Sequence, residues 1–142
     1  VVRKISLRDG GSFLLSDTVG FIRKLPPELV AAFRATLEEV SGADLLLLVI
    51  DSADKDPVGN MEIVLETLKE LNADDLPRIV VLNKIDKTGS EADFIAMELR
   101  ARGEDAIKVS ALTGEGLGEL LDRVKMHMLE NYENRMAVRQ EE

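Results

Sequence analysis

The sequence predicts an α/β fold, with a doubly wound, mainly parallel sheet carrying helices on both faces. Two observations predict it. Continuous aliphatic runs at Leu45 to Ile50 and Ile79 to Leu82 are bounded by turn residues, as in strands buried on both sides. Between and after them lie segments whose apolar residues recur at helical spacing. In sheets of this kind ligands bind beyond the carboxyl ends of the strands. Any chemistry is therefore expected just after Leu15, Ile50, Leu82 and Val109.

In chain order, Ile5 to Arg8 and Phe13 to Leu15 flank Asp9-Gly10-Gly11, which predicts a hairpin whose glycines can take positive φ. Pro26-Pro27 opens a segment with Leu29, Val30, Phe33, Leu37 and Val40 on one helical face, and Pro is tolerated in a first turn. After the strand at Leu45 to Ile50, the residues Met61, Val64, Leu65, Leu68 and Leu71 predict a second helix. The strand at Ile79 to Leu82 leads to a helix bearing Phe94, Ile95, Met97 and Leu99 and ending near Gly103. A strand at Ile107 to Val109 precedes a last amphipathic helix with Leu117, Leu120, Leu121, Val124 and Met128. The polar stretch Asn131 to Glu142 is expected to fray. Residues 1–130 thus make one domain, and 131–142 a polar tail or the start of a further segment.

Composition narrows the function classes. The chain has 142 residues, 45% hydrophobic and 32% charged, with 4% aromatic residues and no Trp, so its core is aliphatic. It has no Cys, which excludes a disulfide framework and a thiolate metal site and is compatible with a cytoplasmic location. Its longest continuous apolar run is far too short to cross a bilayer. The formal charge of −9 opposes general attraction to nucleic acid, so any such partner needs a local basic patch.

Three strings follow predicted strands. Asp17-Thr18-Val19-Gly20 is a D-x-x-G pattern that carries almost no information alone. Asn83-Lys84-Ile85-Asp86 is an N-K-x-D pattern suited to reading guanine. A carboxylate accepts from both the ring N–H and the exocyclic amine of guanine, a pairing that adenine does not offer. Asn83 would brace the loop and the base edge, and Lys84 would lay its methylene stem along the purine face. Ser110-Ala111-Leu112 precedes Thr113-Gly114-Glu115-Gly116, and an Ala111 N–H could donate to the guanine oxygen. Each string also has an ordinary reading: a turn Asp, a polar turn after a strand, a helix cap. All three together, in this order and each directly after a strand, favour a guanine-nucleotide site. His127, the sole histidine, is given no role.

The run from Asp17 to Pro26, continuing through Glu28 to Glu39, closely resembles the HflX family of GTPases, within the Obg–HflX-like translational GTPases. Asn83 to Asp86 and Ser110 to Leu112 fit the same family, so the resemblance extends over nearly the whole chain. It implies a P-loop-NTPase-like fold that binds GTP and GDP through Asp17, Thr18, Val19, Gly20, Asn83, Lys84, Ile85, Asp86, Ser110, Ala111 and Leu112. It also implies Mg2+ held through a water by Asp17, and a Gly20 N–H offered to the γ-phosphate, whose loss releases the segment. The implied partner is the large ribosomal subunit, with a link to ribosome splitting or rescue. Arg23, Lys24 and Arg34 are candidates for a basic patch there, or for charges solvated on a helix face. Phe21 stands where many small GTPases carry a water-orienting Gln. Slow intrinsic hydrolysis, accelerated by a partner, is expected; Phe21 can equally be a core residue.

One departure is large. No G-x-x-x-x-G-K-[ST] occurs: Gly10-Gly11 runs into Ser12-Phe13, and Thr113 to Gly116 holds no Lys. The phosphate cradle, its Lys, the direct magnesium ligands and the switch I Thr are expected upstream of Val1, in a segment outside this sequence or lost by truncation. The first, central strand is missing with them, unless another copy supplies it. Backbone groups left unpaired in its place would cost roughly 1–3 kcal/mol each, so the chain is not expected to be stable alone. Two alternatives stay open: a non-catalytic remnant serving as an interaction module, and another translational or tRNA-modifying GTPase, against which the long match from Phe21 to Glu39 argues.

Overall fold

A computed structural model of the chain describes residues 2–16, 40, 42–70 and 72–141. The chain divides into two units, Val1–Glu38 and Glu39–Glu142.

In the first unit, β1 (Val2–Ser6) and β2 (Ser12–Ser16) pair antiparallel, with Val2 opposite Ser16 and Ser6 opposite Ser12. The first strand ends two residues earlier than the sequence suggests, because the turn claims Leu7 and Arg8. Leu7 N–H donates to the Gly11 carbonyl at 2.7 Å, Asp9 Oδ1 accepts from Gly11 N–H, and Gly10 adopts φ 91°. That conformation suits a residue without Cβ. Asp17, Thr18, Val19, Gly20 and Phe21 follow β2 directly. They lie outside the described residues, as do Arg23, Lys24, Arg34 and all but Val40 of the helix expected after Pro26.

The second unit runs β3 (Leu46–Asp51), α1 (Pro57–Glu70), β4 (Arg78–Asn83), α2 (Ile85–Thr88), α3 (Ser90–Ala101), β5 (Ala106–Lys108) and α4 (Leu117–Glu141). The strands form a parallel sheet in the order β3-β4-β5, flanked by helices. β4 is the central strand, and Ile79, Val80, Val81 and Leu82 are all buried on it, as an unbroken aliphatic run requires. α1, whose Met61 and Leu68 are buried, packs on β3, and α3 packs on β5.

Local chemistry sets the helix ends. Asp56 Oδ1 accepts the Gly59 N–H at 3.0 Å, and Pro57 occupies the first helical position of α1. Asn72, at φ 57°, closes α1: its N–H donates to the Lys69 carbonyl and that of Ala73 to Leu68. Gly103, at φ 88°, does the same for α3. At the amino ends of the strands, Arg78 grips Glu104 through two guanidinium nitrogens at 2.6 and 2.9 Å, tying the start of β4 to the residues entering β5.

The helix expected to carry Phe94, Ile95, Met97 and Leu99 is present as α3, and the expectation for the tail is corrected. α3 buries Ala92, Ala96 and Leu99, while Phe94 and Met97 point outward, 71% and 62% exposed. Alanines four residues apart let the helix lie close to the sheet, and Phe94 and Met97 fall on the other side. α4 runs on past Asn131 to Glu141, so the stretch expected as a frayed polar tail is helix. Its last turns hold no Gly or Pro and are rich in residues of good helix propensity. His127 on α4 faces Asp105 Oδ2 at 3.3 Å, beside an Arg123–Asp105 ion pair of 2.7 Å, which is a structural arrangement.

Candidate functional site

A parallel sheet delivers the carboxyl ends of its strands to one edge, so Asp51, Asn83 and Val109 emerge side by side. Asp51 is in register with Asn83, and the ladder continues past the strands: Ser52 N–H donates to the Asn83 carbonyl at 2.9 Å and Val109 N–H to Leu82 at 2.8 Å. Beyond Asn83 the chain must leave the sheet at once. Lys84 makes the turn in the left-handed region, at φ 66° and ψ 33°, and one turn of α2 follows. A non-glycine residue pays about 1–2 kcal/mol for that conformation, so neighbouring bonds must hold it. Ile85 N–H reaches the Val109 carbonyl at 3.3 Å, and the buried Ser52 hydroxyl bonds Thr88 Oγ1 at 2.9 Å, anchoring α2 from beneath.

The loop after β5 closes over this turn. Ser110 is fully buried; its hydroxyl donates to Asp86 Oδ1 at 2.8 Å and accepts the Thr113 N–H at 3.1 Å. Its own N–H donates to the Glu115 carbonyl, and its carbonyl accepts from Gly114. Asn83 Oδ1 accepts the Ala111 N–H at 3.0 Å, so two side-chain bonds clasp one loop to the other. The loop returns through Gly116, at φ 78°, where a Cβ would sit 2.0 Å from the Lys108 carbonyl oxygen.

The structure therefore brings Asn83, Lys84, Ile85 and Asp86 together with Ser110 and Ala111, and leaves Leu112 84% exposed beside them. Asn83 is bonded to the loop after β5 through Ala111. The Ala111 N–H, expected to face a base oxygen, here bonds Asn83, because the amide of Asn83 lies between the two strand ends. Asp86 spends one acceptor site on Ser110, and a carboxylate has about four. Sequence reasoning placed chemistry after Ile50 but gave no role to Asp51, Ser52, Thr88 or Gly116. Asp51 could have been found as the charged residue ending an otherwise aliphatic strand.

Lys84 Nζ donates to Asp51 Oδ2 at 2.8 Å, while Asp51 Oδ1 accepts the Ala53 N–H at 2.8 Å. The lysine bond, helped by the backbone bond and opposed by partial desolvation, lowers the Asp51 pKa, and the Asp51 carboxylate raises that of Lys84. A depressed carboxylate stabilises the fold above its unfolded value near pH 4 and loses that contribution as pH falls through the folded value. A raised ammonium contributes below about pH 10 and loses it as pH rises through its folded value. The pair is therefore intact from about pH 5 to about pH 9. Any difference in thermal unfolding between the native protein and Asp51→Asn should stay constant across that range and close in acid; a difference that varies near neutrality would contradict this.

Residues 33–130 match the family described as the elongation factor Tu GTP binding domain, and the chain belongs to this family of GTP-binding domains. A GTPase HflX from Magnetococcus marinus is 50% identical over 124 residues, which are 87% of this chain and 28% of that protein. The domain is of the HflX type. The chain spans under a third of the length of that curated relative. Among solved structures, the crystal structure of an SsGBP and GDP complex is 33% identical with a TM-score of 0.71, covering 88% of this chain and 41% of that one. That of Era with MgGDPNP and nucleotides 1506-1542 of 16S ribosomal RNA is 26% identical with a TM-score of 0.67, covering 89% and 43%.

Proposed function

We propose that the intact protein is a GTP-binding, GTP-hydrolysing regulator of the HflX type that associates with the large ribosomal subunit and acts in ribosome splitting or rescue, in the cytoplasm. The observation carrying the nucleotide half of this reading is the clasp of Asp86 to Ser110 and of Asn83 to Ala111. It joins the two loops that would meet a guanine at the carboxyl edge of the sheet, where such folds take their ligands. Asp86 would accept from the ring N–H and the exocyclic amine, and Lys84 would cover the purine face. Ile85 and Leu112 would close the subsite. Among the described residues no helix is long and apolar enough to cross a membrane.

The phosphate half rests on the family. β2 ends at Ser16, so Asp17 directly follows a strand's carboxyl end, a position from which its carboxylate would hold Mg2+ through a water. A bound Mg2+ would neutralise charge developing on the phosphates. Thr18, Val19 and Gly20 would follow the γ-phosphate, with the Gly20 N–H as donor. Phe21 has no group to orient water, so the intrinsic rate would be low. The solved complex of Era, with MgGDPNP and ribosomal RNA, supports both the metal and a ribosomal partner as a class.

The test uses the complete protein. Fluorescent GTP and GDP should bind in the presence of Mg2+ and ATP should not, and phosphate release should be slow until large ribosomal subunits are added. Equal affinity for ATP would refute the guanine reading; turnover indifferent to ribosomal subunits would refute the partner.

A further inference from the structure

We propose that Asp51 is a positioning residue of the guanine subsite, holding Lys84 so that the lysine stem is already extended where a purine would lie. This rests on the base-reading role of Asn83 to Asp86. Three observations carry it. Asp51 is in register with Asn83 on the neighbouring strand, so its carboxylate stands beside the first residue of the base-reading turn. One of its oxygens is fixed by the Ala53 N–H, which leaves Oδ2 to meet Lys84 Nζ at 2.8 Å. The backbone of Lys84 is itself fixed, in the left-handed region between a strand and α2, so both ends of the side chain are held.

The pair has little to offer the fold. Its side chains are 45% and 36% exposed, and ion pairs at such positions contribute little to stability. A lysine stem has four rotatable bonds, and ordering them on binding weakens affinity. A carboxylate that orders the stem beforehand removes that cost from the binding step. The neighbouring Asp54 does not duplicate the role, because its carboxylate is engaged by the Lys55 N–H and by Asn60 Nδ2. Asp51 would act on the base only through Lys84.

The experiment measures the dissociation constant of fluorescent GDP for the complete protein and for Asp51→Asn, Lys84→Met and the double variant. Asn keeps an acceptor for the Ala53 N–H and removes the charge, while Met keeps an apolar stem and removes the ammonium. Asp51→Asn should bind GDP about fivefold more weakly, the upper end for an exposed pair, with the melting temperature little changed. The double variant should bind no more weakly than Lys84→Met alone, which a merely structural role for Asp51 would not produce. Native affinity in Asp51→Asn, or effects that multiply in the double variant, would overturn the proposal. Asp86→Asn, measured alongside, separates the two readings. If it moves base preference toward xanthine while Asp51→Asn is silent, only this inference fails; if it leaves preference unchanged, the base reading fails and this inference with it.

Discussion

Asp86→Asn in the complete protein is expected to weaken GTP binding about 100-fold or more while sparing xanthosine triphosphate. The carboxylate would accept two hydrogen bonds from guanine, and bonds to a charged group are worth about 1.5–3 kcal/mol each. Asn gives up the bond to the exocyclic amine, sets a donor against that donor, and removes the charge from the bond that remains, a loss larger than that of any other single side chain in the subsite. An amide keeps one acceptor, for the ring N–H that both bases carry, and turns its donor toward position 2. There it meets the amine of guanine and is repelled, but meets an oxygen in xanthine and bonds. Asn retains an oxygen for the Ser110 hydroxyl, so the clasp at 2.8 Å survives and the change reads the base alone. Competition between the two triphosphates measures the switch; equal loss of both would remove Asp86 from base recognition.

Gly116→Ala should have the largest effect on stability, about 2–4 kcal/mol, for two additive reasons. A Cβ there meets the Lys108 carbonyl oxygen at 2.0 Å, a backbone atom of β5 that has no freedom to give way. The φ of 78° adds a penalty for any L side chain. Relief of the clash would pull the loop from Ser110 to Glu115 off the sheet edge, breaking the bond from the Ser110 N–H to the Glu115 carbonyl. Guanine affinity should therefore fall together with the unfolding temperature. Gly114→Ala is the control: at φ 86° it carries the backbone penalty, but nothing lies within 4 Å of its Cβ. If the two variants melt together, close packing against Lys108 is not what requires glycine at 116.

Strand β4 was readable because its residues are buried on both sides, so every position is aliphatic and no register has to be guessed. The N-K-x-D string stands out in the sequence because its residue types suit one ligand's hydrogen-bonding pattern, and the structure places it at the turn that follows β4. The helix α3 was legible, but its buried face was not. Phe94 and Met97 weigh heavily in any hydrophobic count, whereas the alanines that touch the sheet weigh little. The length of α4 was missed because polarity was taken for disorder, although helix propensity does not need apolar residues. Asp51 and Ser52 escaped notice for another reason. Their roles are long-range: Asp51 bonds a residue 33 positions away, and Ser52 one 36 positions away. Only the parallel register brings those residues together, and no local pattern encodes it.

The clasp between the two loops has a consequence for how the nucleotide state is sensed. Asp86, Ser110, Asn83 and Ala111 are bonded to one another within the protein itself, so the two loops would present a base with a surface whose parts are already joined. GTP and GDP carry the same guanine, and such a surface would hold both equally. A group that binds two states equally tightly anchors the ligand without shifting any equilibrium between them. Under the proposed function this face is the address of the site and not its clock. Whatever tells triphosphate from diphosphate would then lie wholly with groups that meet the last phosphate, and strengthening the base-reading clasp would lengthen residence of both nucleotides without changing their ratio.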